Sequence, residues 1–170
     1  MEIIVPKEYP YVLLSIAMLC FTCFIVQFAA VIPARLRTFN AKFMEQFQSE
    51  HEKAFPGTKV DKMGFPDVGD GRYSEKLEYK AWVEFSNAMR VSQNFVEWLP
   101  LAVVFLGLGG LVVPKVAMYT GFINVAARIV YCVMYLKFGS NKRYLGAVGG
   151  SAPLYGVGIA AFVQLVRACM

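Results

Sequence analysis

The apolar positions of this chain gather into four long runs, separated by one long polar stretch and two short ones. The first run, from about 9 to 32, has Gln27 as its only strongly polar side chain, and its length matches the roughly 20 residues that a bilayer core requires. Tyr9 and Tyr11 stand where amphipathic rings favour the headgroup layer, and Arg35 and Arg37 anchor the opposite interface. Pro33 between them predicts a kink or an end. The second run, about 95–113, grows out of a polar helix. Arg90, Gln93, Asn94 and Glu97 are spaced three and four apart and share a face, and Trp98 to Val113 then carries no charge. The third run, 115–138, places Asn124, Arg128, Tyr131 and Tyr135 on one stripe. The fourth, 144–166, is rich in Gly and Ala, which permit close helix approach. The expectation is an all-α membrane protein of one domain, residues 1–170, built as a four-transmembrane-helix bundle.

The long polar connection, 34–80, interrupts this pattern. Its segment from Ala41 to Phe55 sets Phe43, Met44, Phe47 and Phe55 near one face, which predicts an amphipathic helix lying on the membrane surface, stopped by Pro56-Gly57. From Pro56 to Arg72 no periodicity survives, and a connection of that length calls for disorder or a partner surface. A helix is expected to start at Ser74 and to run through Tyr79, Trp82, Phe85 and Met89 into the second span.

Composition supports lipid as the main solvent: 57% of the residues are hydrophobic, only 17% are charged, and mean hydropathy is +0.48. The net charge of +5 is therefore read through topology and lipid headgroups. No cluster of Lys and Arg with interleaved aromatics supports nucleic-acid binding. Most of the basic residues fall in the connections after the first and third runs, which places those connections on the cytoplasmic or matrix side. Lys7 between Glu2 and Glu8, without a small-residue cleavage pattern, leads to the expectation that the first run is a retained span. Cys20, Cys23 and Cys132 lie in apolar runs as small hydrophobes, whereas Cys169 is expected to be exposed; no disulfide framework or metal site is expected from the four. His51, the sole histidine, is expected to be solvated in the polar connection.

The two polar stripes carry the candidate chemistry. An arginine as deep in an apolar run as Arg128 needs a partner, and Glu97 or a bound anion is expected to supply it. With Arg35, Arg37, Lys142 and Arg143 at the same end, the stripes suit a small zwitterion or dianion: cations for its carboxylates, Glu97 for its ammonium, and a Tyr or Arg for a developing anion. The alternative is that Glu97 and Arg128 pair to lock the helices, with the other polar groups as interhelical glue.

The run from Arg90 through Asn94 and Glu97 to Pro100 resembles the signature of the MAPEG family, the membrane-associated proteins of eicosanoid and glutathione metabolism. The nearest match is to the type 3 microsomal glutathione transferases. Lys7-Glu8-Tyr9, Ala34-Arg35, Leu106 to Pro114, Arg128 with Tyr131 and Tyr135, and Ser140 to Arg143 followed by Gly146 to Gly149 support it in order. The resemblance implies a homotrimer that holds glutathione between neighbouring subunits and conjugates it to lipophilic electrophiles or uses it to reduce lipid hydroperoxides, in the endoplasmic reticulum or a mitochondrial membrane. It places Arg35, Arg90, Asn94, Glu97 and Tyr135 at glutathione-contact positions and Arg128 on a recurrent buried arginine, with Arg37, Tyr131 and Lys142 as candidates for the reacting thiol. Three residues depart from the pattern: Leu36 where thiol-activating relatives have Arg or Lys, Ser92 for a histidine, and Trp98 for a contacting tyrosine. The connection is also long for the family. These departures leave open a non-catalytic or weakly catalytic subunit of a larger membrane assembly.

Overall fold

The computed structural model describes residues 5–170, so Glu2 of the charged leading stretch lies outside the described residues. Those residues form helices and turns: α1 (Tyr9–Val26), a π-helical stretch (Gln27–Val31), α2 (Ile32–Thr38), α3 (Ala41–Met44), a 3-10 turn (Glu45–Phe47), α4 (Gln48–Ala54), a 3-10 turn (Ser74–Lys76), α5 (Tyr79–Val112), α6 (Pro114–Phe138), a 3-10 turn (Ser140–Lys142) and α7 (Tyr144–Cys169). Four helical runs, Tyr9–Thr38, Tyr79–Val112, Pro114–Phe138 and Tyr144–Cys169, are long and apolar enough to cross a membrane. The chain is an integral membrane protein with four spanning helices and a long connection between the first and second. Pro33 does not end the first run. The turn before it widens, so that the Ile32 N–H donates to the Gln27 carbonyl five residues back, and the helix continues to Thr38. The helix expected from Ser74 instead makes a 3-10 turn, breaks at extended Leu77, and begins in earnest at Tyr79.

The chain divides into two compact units: residues through Ile25 with Gln93–Met170, and Val26–Ser92. In the first, α6 and α7 lie against each other along a small-residue stripe. A Cβ at Gly146 would sit 2.5 Å from the Tyr131 nitrogen and 2.6 Å from the Ala127 carbonyl oxygen, so only glycine lets the two backbones meet there. Gly150, Leu154, Val157, Gly158 and Ala161 continue the buried side of α7, while Gly149 and Gly156 face open space. Asn124 is fully buried on α6 and donates from Nδ2 to the Thr120 carbonyl at 2.9 Å. Outward-facing Phe21, Ile159 and Phe162 are each more than 60% exposed, as expected for a surface solvated by lipid.

The second unit has its own core of Ala34, Phe39, Met44, Phe47, Val60, Phe85 and Ala88, with Phe43, Tyr73, Leu77 and Met89 against it. This corrects the expected membrane-surface helix. The 41–55 segment is broken into α3, a 3-10 turn and α4, and Met44 and Phe47 are buried in protein, while Phe55 is exposed. Pro56-Gly57 does stop α4, with Gly57 at φ +80°. The irregular stretch after it is held by two buried charges. Arg35, 2% exposed, donates to the Met63 carbonyl at 3.2 Å and to the Asp67 carbonyl at 2.7 Å, with its guanidinium 4.1 Å from the Phe65 ring centre. The Asp67 carboxylate, 4% exposed, accepts from Gly69 N–H (2.8 Å), Gly71 N–H (3.3 Å), Ser74 N–H (2.8 Å) and the Ser74 hydroxyl (2.6 Å). Burial alone would raise the Asp67 pKa, but the Ser74 hydroxyl and the three backbone N–H groups outweigh it and hold the carboxyl below the usual range. Burial, then the negative charges of Asp61, Asp67 and Glu50, push the Tyr73 phenol up. The surface that holds the connection is thus its own unit, and Trp82 fastens it again by donating to the Gly69 carbonyl at 2.7 Å.

Two outcomes follow. Gly146→Val is expected to cost about 3 kcal/mol by overpacking α6 against α7, read as a lower thermal midpoint in detergent. Asp67→Ala is expected to cost about 3 kcal/mol by orphaning buried donors, read as faster hydrogen exchange at Gly69, Gly71 and Ser74. Because the native Asp67 pKa is depressed, its contribution is complete above about pH 4 and is lost as pH falls through the lowered value. Acid should therefore reproduce the exchange pattern of Asp67→Ala in the wild type and change the variant less.

Candidate functional site

Three helices of the first unit bound one cavity of about 420 Å³, within the size range of small-molecule sites. From α5 come Asn94, Glu97, Trp98 and Leu101, at positions i, i+3, i+4 and i+7 of one face. From α6 come Arg128 and Tyr131. Arg143, Ala147, Ser151 and Tyr155, each four residues after the last, line the α7 side. Helical spacing on three neighbouring elements thus turns residues far apart in sequence into one wall.

Arg128 is the centre of this wall. It is 6% exposed, and its guanidinium lies 3.7 Å from the Trp98 ring centre, with Tyr131 at 5.5 Å and Phe95 at 5.6 Å. The expected pairing with Glu97 is not made. Glu97 is exposed at the cavity wall, and among the described residues Arg128 is met by aromatic faces rather than a carboxylate. Trp98 is itself 9% exposed, and its indole N–H has no acceptor among the described residues. Tyr131 packs edge-on against Tyr135, ring centres 5.7 Å apart, and Arg143 covers Tyr135 at 5.6 Å.

Among the residues singled out from the sequence, the cavity therefore joins Asn94, Glu97, Arg128 and Tyr131. Tyr135 is buried behind Tyr131, and Lys142 is exposed in the turn before α7. Arg35, Arg37 and Arg90 belong to the Val26–Ser92 unit. There Arg35 is enclosed as described above and Arg90 is exposed. Arg37 is exposed in a groove with Asn40, Lys76, Glu78 and Glu84. Sequence reasoning had not counted Ser151 and Tyr155, and had noted Trp98 only as a departure. The four-residue spacing 143, 147, 151, 155 was the available signal, masked by the glycines around it.

The MAPEG family model matches residues 11–163, nearly the whole chain. The chain belongs to the MAPEG family. Membership supports a glutathione-related membrane enzyme in general.

The Arg128 stack gives a direct test. Trp98→Phe keeps an aromatic face for the guanidinium and is expected to cost under about 1.5 kcal/mol, whereas Trp98→Leu removes it and is expected to cost about 3 kcal/mol. Thermal unfolding in one detergent, with both variants side by side, reads the difference.

Proposed function

We propose that this MAPEG protein is a glutathione-dependent transferase or peroxidase, nearest in its motifs to the type 3 microsomal glutathione transferases, working as a homotrimer on lipophilic electrophiles or lipid hydroperoxides. The observation that carries the reading is the joining of Asn94, Glu97, Tyr131 and Arg143 in one cavity. These groups fit the tripeptide by charge: Glu97 for the ammonium, Arg143 for a carboxylate, and Asn94 for the peptide groups. A cysteine thiol has an ordinary pKa near about 8.5, and a nearby cation or hydroxyl donor enlarges its thiolate fraction at neutral pH. Tyr131, at the cavity, and Lys142, at the turn before α7, are the candidates for that task. The thiolate then attacks an electrophilic carbon and forms the C–S bond as the carbon's bond to its leaving group breaks, the leaving group departing with the electron pair, or as an epoxide C–O bond opens and its oxygen takes up a proton. In the peroxidase reaction, two glutathione molecules give up two electrons and two protons, forming a disulfide as the hydroperoxide becomes alcohol and water.

Arg37, Arg90 and Tyr135 remain proposed contributors, Arg37 and Arg90 as candidates to complete the site from a neighbouring copy. Arg35 stands apart, because its N–H groups and its aromatic cage already tie it to the Val26–Ser92 unit. The membrane is that of the endoplasmic reticulum or the mitochondrion, with the polar connections toward cytoplasm or matrix.

A second reading, a weakly catalytic subunit of a larger assembly, is favoured by one observation. Tyr79, 78% exposed, and Trp82, 39% exposed, lie with tilted rings 5.9 Å apart on the surface of the Val26–Ser92 unit, where a partner could cover them. Native mass in mild detergent separates the readings, since a discrete trimer and nothing larger counts against the second.

Calorimetry on the purified protein is expected to show saturable glutathione binding, weakened about tenfold by Glu97→Gln through loss of a charge-assisted bond. No saturable binding below several millimolar in the wild type overturns the proposal.

A further inference from the structure

A groove of about 530 Å³ lies wholly within the Val26–Ser92 unit, apart from the cavity described above. Its buried lining, Ala34 and Phe85, comes from the apolar core of that unit, and much of its exposed lining carries charge. Arg37 stands in the last turn of α2, Lys76 ends the 3-10 turn before α5, Glu78 immediately precedes α5, and Glu84 lies on α5. Two cations and two carboxylates thus share one groove. Opposite charges on a protein surface can pair directly, as Arg72 and Glu50 do, yet among the described residues no ion pair joins these four. They rise from separate segments fixed on a common core, and the space between them suits a ligand that carries both signs of charge. The height of the groove narrows the choice. The apolar run of the first span ends at Ile32, and Arg37 follows five residues later, about 8 Å at the helical rise. The headgroup layers that flank a ~30 Å hydrocarbon core are each about 5–8 Å deep. Arg37 therefore stands at the level of phospholipid headgroups.

We propose that this groove binds the headgroup of phosphatidylethanolamine, a phosphate ester that carries a primary ammonium. Arg37 and Lys76 meet the phosphate, and Glu78 and Glu84 accept hydrogen bonds from the ammonium. A trimethylated headgroup keeps the same charges but has no N–H to donate, and such a cation is held by exposed ring faces. The ring of Phe85 cannot serve that purpose, since it is 0% exposed and packs edge-on to Phe39 with centres 4.9 Å apart. A purely anionic headgroup satisfies the two cations but sets its charge against the two carboxylates. Free phosphoethanolamine has the same polar groups without the acyl chains that concentrate a lipid at this level. The proposal rests on Lys76, Glu78 and Glu84, none of which the glutathione reading uses, so the two readings fail separately.

The test is native mass spectrometry of the full chain in mild detergent, titrated with phosphatidylethanolamine, phosphatidylcholine or phosphatidylglycerol of matched acyl chains. It reads the affinity of the first lipid bound per subunit. Phosphatidylethanolamine is expected to bind about tenfold more tightly than phosphatidylcholine, the value of one charge-assisted hydrogen bond. The double variant Glu78→Gln, Glu84→Gln should erase that preference. Lys76→Gln should weaken both lipids alike and keep their ratio, because both carry the phosphate. All three side chains are exposed, so these substitutions leave the core intact. Equal binding of phosphatidylethanolamine and phosphatidylcholine, or a preference that survives the double variant, overturns the proposal. So does phosphatidylglycerol binding as tightly as phosphatidylethanolamine, which marks a basic patch open to any anion. Displacement of the lipid by millimolar phosphoethanolamine overturns it in favour of a free zwitterion, and displacement by glutathione overturns it in favour of the tripeptide, leaving the enzyme reading standing. A phosphatidylethanolamine preference in a chain that binds no glutathione supports the proposal and overturns the enzyme reading instead.

Discussion

Each unit of this protein is organised round one buried arginine set among aromatic rings, and the difference between the two arginines separates scaffold from site. Arg35 has Phe65, Phe85 and Phe39 against its guanidinium at 4.1, 5.2 and 5.9 Å, and it also has carbonyl oxygens for its N–H groups. Its charge is largely spent on the fold. Arg128 has the rings of Trp98, Tyr131 and Phe95 and no comparable acceptors among the described residues. The quadrupoles of the rings make its burial tolerable but do not replace hydrogen bonds. What remains unsatisfied is directed into a cavity, and that residual demand is the physical basis for reading the cavity as a binding place.

The four spans were legible because lipid imposes a simple demand, an unbroken apolar run of sufficient length, and the chain meets it four times. The stripe of Asn94 and Glu97 was legible for the same reason, since polar groups on a membrane helix stand out. Arg128 was legible as a residue in need of a partner, but its partner was not. A carboxylate on the same stripe, Glu97, looks like the obvious counter-ion, yet the ring of its neighbour Trp98 takes the guanidinium. A sequence pattern shows charge but gives no account of which ring face will lie parallel to a guanidinium. The α7 wall was hidden differently, because small residues promised helix packing and drew attention from Ser151 and Tyr155 beside them.

The polar connection taught the opposite lesson. Phe43, Met44 and Phe47 were correctly seen as one apolar face, but their destination was misjudged, because amphipathicity says that a face is buried without saying against what. The stretch after Gly57 showed no period at all. Its order comes from hydrogen bonds to single buried charges, Arg35 and Asp67, and such isolated anchors leave no periodic trace in a sequence.

The bond from Arg35 to the Asp67 carbonyl joins residues 32 positions apart, and the carboxylate of Asp67 gathers its donors only from the next few residues. The stretch between, which carries α3 and α4, is therefore closed by pins at both ends. The entropy of closing such a loop grows only logarithmically, about 0.6 kcal/mol for each doubling of length. Thr58 is tied to Gln48, His51 and Phe55, whereas Gly57 has open space around it, so chain inserted at Gly57 lengthens the closed stretch at small entropic cost while the two pins hold, and the turn is a natural place to graft a tag or a tether.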